Sequence, residues 1–85
     1  MLGVTHYVYI VRCSDGSLYT GYARDPKERE KVHNSGRGAK YTSRRLPVSL
    51  VYSEACESRS AALKREYQVK RLSRTAKEQL LNDTK

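Results

Sequence analysis

Residues 6–22 read HYVYIVRCSDGSLYTGY, and this stretch constrains the fold more than any other. Two runs rich in Tyr, Val, Ile and Thr are separated by Ser14-Asp15-Gly16, the signature of two antiparallel strands joined by a tight turn. Strand side chains alternate between faces, so Tyr7, Tyr9, Val11 and Cys13 share one side of the first strand. The side taken by Tyr19 depends on the turn. A two-residue Asp15-Gly16 loop pairs Cys13 with Leu18 and sends Tyr9 and Tyr19 to opposite faces. A three-residue loop with Gly16 in the left-handed conformation pairs Cys13 with Ser17. Tyr9 then faces Gly21, Val11 faces Tyr19, and these side chains share a face. The second register is expected, with open space left beside Tyr9 by Gly21. The chain has 7 Tyr and neither Phe nor Trp, so every aromatic ring placed there carries a hydroxyl.

The rest of the chain supplies the elements that must cover this hairpin. Strands are expected over 5–13 and 17–23. Asp25 as N-cap, Pro26 at the first helical position and Glu28 as the capping-box acid start a helix that Asn34 to Gly36 ends. GRGAKYTSRRLP is a basic, glycine-punctuated loop with room for a helical turn. PVSLVYSE alternates as a third strand. Residues 58–72 form the strongest helix, capped by Ser58 or Ser60. TAKEQLL opens a last short helix, with Thr75 and Glu78 as its box. The order β-β-α-β-α-α implies an α/β (α+β) fold: a small three-stranded sheet, mixed or antiparallel, flanked by helices. Eighty-five residues support a single domain, expected over 1–85 with its core at about 5–80.

Several classes are disfavoured. The apolar runs are too short to span a bilayer, and MLGVTHY lacks the features of a signal peptide, so a cytoplasmic location is expected. Cys13 and Cys56 form neither a CxxC pair nor a zinc spacing, and reduced thiols are expected. Lys+Arg number 17 against 9 Asp+Glu, for a net charge of +8. All the basic residues but Arg12 lie at or after Arg24. That is the footprint of a polyanion binder. A membrane surface is a poorer match, because no helix pairs a basic face with a broad apolar one.

Two helical positions stand out chemically. At about 100° per residue, Ala62, Val69, Leu63 and Tyr67 span one arc of the helix, and Glu66 falls near its middle. An ionised carboxylate facing a core is costly unless it is paired or coordinated. Glu66 is therefore a metal ligand, a partner of Lys70 one turn on, or the target of an arginine from elsewhere. On the shorter helix, Arg29 and His33 share a side with Val32, and a solvated charged helix explains them equally well.

These residues resemble a known family. Tyr7-Val8-Tyr9, followed ten residues on by Tyr19-Thr20-Gly21, is similar to the paired motif that names the GIY-YIG endonuclease superfamily. Tyr7-Val8 replaces the first Gly-Ile, as in its small stand-alone branch. The likeness continues through HNSGRGAKYT, through P…LVYSE and through ESRSAALKREYQVKRLSR, covering roughly residues 5–80. The superfamily includes homing endonucleases, restriction enzymes and the nicking domain of the bacterial excision nuclease. By motif, the resemblance implies catalytic roles for Tyr9, Tyr19, Arg29, His33 and Glu66, with Glu66 as the metal ligand. The chain departs from relatives at Tyr22, where the excision nuclease has lysine, and at Glu30, where an apolar residue is usual.

The resemblance implies phosphodiester hydrolysis, with DNA more than RNA as substrate and repair or recombination as the setting. One Mg²⁺ or Mn²⁺ on Glu66 is expected, since no second carboxylate clusters with it. Arg29 would brace the scissile phosphate. Tyr9 or Tyr19 would orient or deprotonate the attacking water, with His33 as a relay. Arg37, Lys40, Tyr41, Arg44 and Arg45 would hold the nucleic-acid backbone without reading sequence, leaving structure-specific or non-specific cutting, or a protein partner for targeting. The alternative is a non-catalytic nucleic-acid-binding accessory module of the same fold.

Overall fold

The computed structural model describes residues 5–83; the remaining ends of the expected 1–85 domain lie outside the described residues. Strand β1 is His6–Arg12 and β2 is Leu18–Ala23. The Cys13 N–H donates to Ser17 O at 2.8 Å and the Gly16 N–H to Cys13 O at 2.9 Å. Gly16 sits at φ +86, where a side chain would be strained. This is the three-residue loop, and Tyr9 pairs with Gly21 and Val11 with Tyr19 as that loop requires.

Strand β3, Ser49–Cys56, pairs antiparallel with the other edge of β1, so the sheet order is β2-β1-β3. The central strand is buried on both sides. Val8 and Ile10 pack with Tyr52, Ala62, Val69 and Leu81 on one face. Tyr9, Val11, Cys13, Ala23 and Val48 form the core on the other. Fully burying an aliphatic side chain is worth about 1.5–3 kcal/mol, so these two thin cores carry most of the hydrophobic stabilisation.

Helix α1, Pro26–Asn34, begins as expected, with Asp25 Oδ1 accepting the Glu28 N–H at 3.2 Å. The basic loop contains the short helix α2, Lys40–Ser43. Helix α3 is Arg59–Lys70, and its cap is Ser58, whose Oγ accepts the Ala61 N–H at 3.0 Å. Helix α4, Arg74–Asp83, starts before the expected Thr75–Glu78 box. Ser73 Oγ takes the Ala76 N–H at 3.1 Å instead. Glu78 is drawn away because the Arg12 guanidinium grips both its oxygens, at 3.0 and 3.1 Å, and Arg74 adds a third bond at 3.0 Å. A bidentate guanidinium–carboxylate pair outcompetes a reach back to one backbone amide. Both cysteines are free thiols. Among the described residues no helix is long and apolar enough to cross a membrane.

Candidate active site

Tyr9 stands on the central strand with 1% of its surface exposed. Its ring lies across Gly21: a Cβ added there would sit 2.6 Å from the phenol oxygen. The open space expected beside Tyr9 is therefore filled by the tyrosine's own ring. The phenol oxygen lies 2.7 Å from His33 Nε2. On the far side of the imidazole, Nδ1 is 2.8 Å from Thr42 Oγ1, and that hydroxyl donates to Ala39 O at 2.9 Å. Once the Thr42 proton is committed to Ala39, Nδ1 must carry the hydrogen and Nε2 must accept from Tyr9. The longer contact of the Ala39 N–H with Nδ1, at 3.4 Å, belongs to the other tautomer. His33 and Thr42 are both fully buried. Gly38 makes this seat feasible, since a Cβ there would come within 2.1 Å of His33 Nδ1.

Burial pushes the Tyr9 phenol up to about 12. The Arg29 guanidinium beside it pulls the other way, while Tyr19 and Glu66 push upward. The residues singled out by motif thus share one electrostatic neighbourhood around Tyr9. Burial, and then the charge of Arg29, hold His33 below its ordinary value, so it is neutral at pH 7. Arg29 itself is exposed, and its fork is available to an anion. Helix α1 packs on the Tyr9 face and α3 on the Val8–Ile10 face, and both also contact edge strand β2.

Tyr19 meets His33 edge-on, with ring centroids 5.4 Å apart, and stacks on Tyr41 at 6.0 Å. Arg45 lies over the Tyr41 ring at 3.8 Å and pairs with Asp15 at 3.1 Å. Tyr41 thus has contacts to both Tyr19 and Arg45, and the Arg45 charge is already partnered. Of the five groups expected to hold a nucleic-acid backbone, Arg37, Lys40 and Arg44 are outward cations that make no ion pair among the described residues.

Glu66 has 17% of its side chain exposed and pairs with Lys70 Nζ at 3.1 Å. It lies at the margin of the buried stripe rather than in its middle. Leu63 and Tyr67, expected to extend that stripe, are 40% and 62% exposed, the latter with Arg71 stacked against it at 5.4 Å. Among the described residues no three His, Cys, Asp or Glu side chains gather into a metal cage. One carboxylate still fits a hard cation that keeps its waters and takes substrate phosphate oxygens, as Mg²⁺ does.

The sequence reading missed Gly38, Ala39 and Thr42, which hold His33 from behind. The signal available was Gly38 itself, one of two glycines flanking Arg37 in a loop read as a phosphate contact. The departure at Glu30 has a structural reason, because its Oε2 accepts the Leu50 N–H at 2.7 Å and ties α1 to β3. At Tyr22, the hydroxyl bonds His6 Nδ1 at 2.9 Å.

The family model for the GIY-YIG catalytic domain matches residues 5–79. A UPF0213 protein of Staphylococcus aureus strain Mu50 is 57% identical over 79 residues, covering 93% of this chain and 96% of the relative. One from Staphylococcus saprophyticus is 56% identical over 78 residues, covering 92% and 95%. Among solved structures, the NMR structure of the UPF0213 protein BH0048 from Bacillus halodurans matches with a TM-score of 0.59 at 55% identity, over 91% of this chain and 82% of that one. Protein EF2693 of E. faecalis matches with a TM-score of 0.61 at 47% identity, over 93% and 84%. The order of strands, the seat of the tyrosine pair and these matches agree: the chain belongs to the GIY-YIG family, among its small UPF0213 proteins.

Proposed function

We propose that this protein is a metal-dependent nuclease that hydrolyses the phosphodiester backbone of DNA, in a repair or recombination setting. Family membership supports nuclease chemistry on nucleic acid in general. The observation that carries the finer reading is the buried Tyr9–His33–Thr42 chain, aimed where Arg29 and Glu66 also act on Tyr9.

The residues divide the work as follows. Arg29 holds the scissile phosphate through its planar fork. A phenol pushed up to about 12 is not a free base at neutral pH. Tyr9 instead passes protons: it takes one from the attacking water while its own moves to His33 Nε2. The water oxygen bonds to phosphorus as the bond to the 3′ oxygen breaks, and the departing oxygen takes a proton from solvent. A tyrosinate facing an imidazolium would be costly in this buried site, so the two proton transfers are concerted with attack. Tyr19 packs against the imidazole and fixes its plane. Glu66 would hold the divalent ion, Mg²⁺ or Mn²⁺, which when bound supplies charge stabilisation to the leaving oxygen.

The Glu66–Lys70 pair favours a second reading, a module that binds nucleic acid without cutting it. Incubation with supercoiled plasmid in Mg²⁺ or Mn²⁺ separates the two. The nuclease reading expects metal-dependent nicking that falls at least about 100-fold in Tyr9→Phe and in Glu66→Gln. Nicking retained by Glu66→Gln, or none in the parent protein while binding persists, would reject it.

A further inference from the structure

A cavity of about 250 Å³ opens beside Tyr19, lined by Leu18, Tyr19, Thr20, Tyr41, Lys70 and Lys77. It brings α3 and α4 to the strand that carries the second motif tyrosine. Two ammonium groups border it. Lys70 is engaged by Glu66, whereas Lys77 makes no ion pair among the described residues. A second observation is independent of charge. Thr20 is 3% exposed, and its Oγ1 is the one buried side-chain polar atom among the described residues without a hydrogen-bond partner. A hydroxyl left unpaired in a buried position destabilises the free protein unless something supplies its partner. Thr20 lines the cavity with its Oγ1 enclosed, so a rotation about its χ1 would be needed to bring that spare donor to a phosphate oxygen held at the cationic rim.

We infer that this cavity is a second phosphate subsite, in which Lys77, Thr20 Oγ1 and, when Glu66 is otherwise engaged, Lys70 hold the backbone phosphodiester neighbouring the one that Arg29 holds. The inference rests on the nuclease reading for its substrate and extends it. The bound strand then runs from the α1–α2 side, past Tyr19, onto α3 and α4. Two phosphates fixed on either side of one tyrosine leave the scissile bond little freedom to slide.

The test uses a short fluorescein-labelled oligodeoxythymidylate titrated by anisotropy across a salt series in EDTA, so that no cleavage intervenes. Lys77→Gln should weaken binding and reduce the slope of log affinity against log salt by about 0.7, the loss of one phosphate contact. Lys64→Gln, exposed on α3 outside the cavity, should leave the slope unchanged. Thr20→Val should move two quantities in opposite directions. The thermal midpoint of the free protein rises by about 4–8 °C as the orphan hydroxyl is removed, while oligonucleotide affinity falls. An unchanged slope in Lys77→Gln overturns the subsite and leaves the nuclease reading standing. Thr20→Val with unaltered affinity removes the hydroxyl as a ligand. Absence of oligonucleotide binding by the parent protein at low salt overturns both. A missing nicking activity with the slope change present rejects only the nuclease.

Discussion

His33 is an unusual residue to find with no exposed surface on a helix that is otherwise polar. Its burial makes sense only because each ring nitrogen has a partner, Tyr9 on one side and Thr42 on the other. The same burial makes it a pH sensor of known sign. Its native value lies below the ordinary one near ~6.5, so the unfolded chain binds the proton more readily. The stability contributed by the neutral ring is fully present above about pH 6.5 and is lost as pH falls from there towards the native value. Thermal midpoints should therefore decline on acidification through this window, and His33→Gln should flatten the decline. A wild-type curve level from about pH 7 to 5.5 would contradict the assigned protonation state. At this scale the sequence was informative where chemistry repeats at fixed spacing. Tyr9, Tyr19, Arg29, His33 and Glu66 were singled out by their motif positions, and Arg29, Tyr19 and Glu66 all act electrostatically on Tyr9. Thr42 and Gly38 could not be, because one hydrogen bond to the ring and the room beside it are local roles, and neither residue type announces a cradle.

Elements were legible to the extent that caps and alternation mark them. The hairpin register followed from turn chemistry, and Asp25 and Ser58 capped the helices where the pattern placed them. How α1 attaches to the sheet was not legible, because it docks through polar clasps rather than an apolar stripe. The Asn34 amide donates to Val48 O at 2.9 Å and accepts the Val48 N–H at 2.7 Å, imitating a neighbouring strand at the start of β3. Glu30 adds its bond to the Leu50 N–H two residues on. Side chain to backbone bonds of this kind have no period, so no pattern in the sequence reveals them. Asn34 read simply as the end of a helix. Because α1 carries both Arg29 and His33, its seating matters for the site as well as for stability. Asn34→Ala should cost about 1–3 kcal/mol, since it strands two backbone groups of Val48, as measured by urea unfolding. A loss under about 0.5 kcal/mol would mean that water replaces the amide without penalty and that the clasp does not hold the helix.

Over the whole molecule, charge is arranged rather than merely abundant. The net charge is +8, yet among the described residues five cations are paired: Arg12, Arg45, Arg65, Lys70 and Arg74 each meet a carboxylate. These pairs are partly exposed, and each contributes little to stability. Their effect is to remove charge from some surfaces and leave it on others. Arg37, Lys40 and Arg44 remain outward on the α2 side of Tyr19, and Lys77 remains on the α4 side. Together with Arg29 they are cations without an ion pair among the described residues. These five side chains would neutralise about five phosphates of a duplex, for a log–log salt slope of about −4.5. Affinity should then fall about 500-fold between about 50 and 200 mM salt. Since phosphate contacts carry no base information, duplexes of unrelated sequence should bind within a few-fold of one another. Titrations of two unrelated duplexes across that salt range check both statements. A slope shallower than about −2 would mean that these cations are not used as a unit, and a strong sequence preference would require a base-reading element that neither the sequence nor the fold displays.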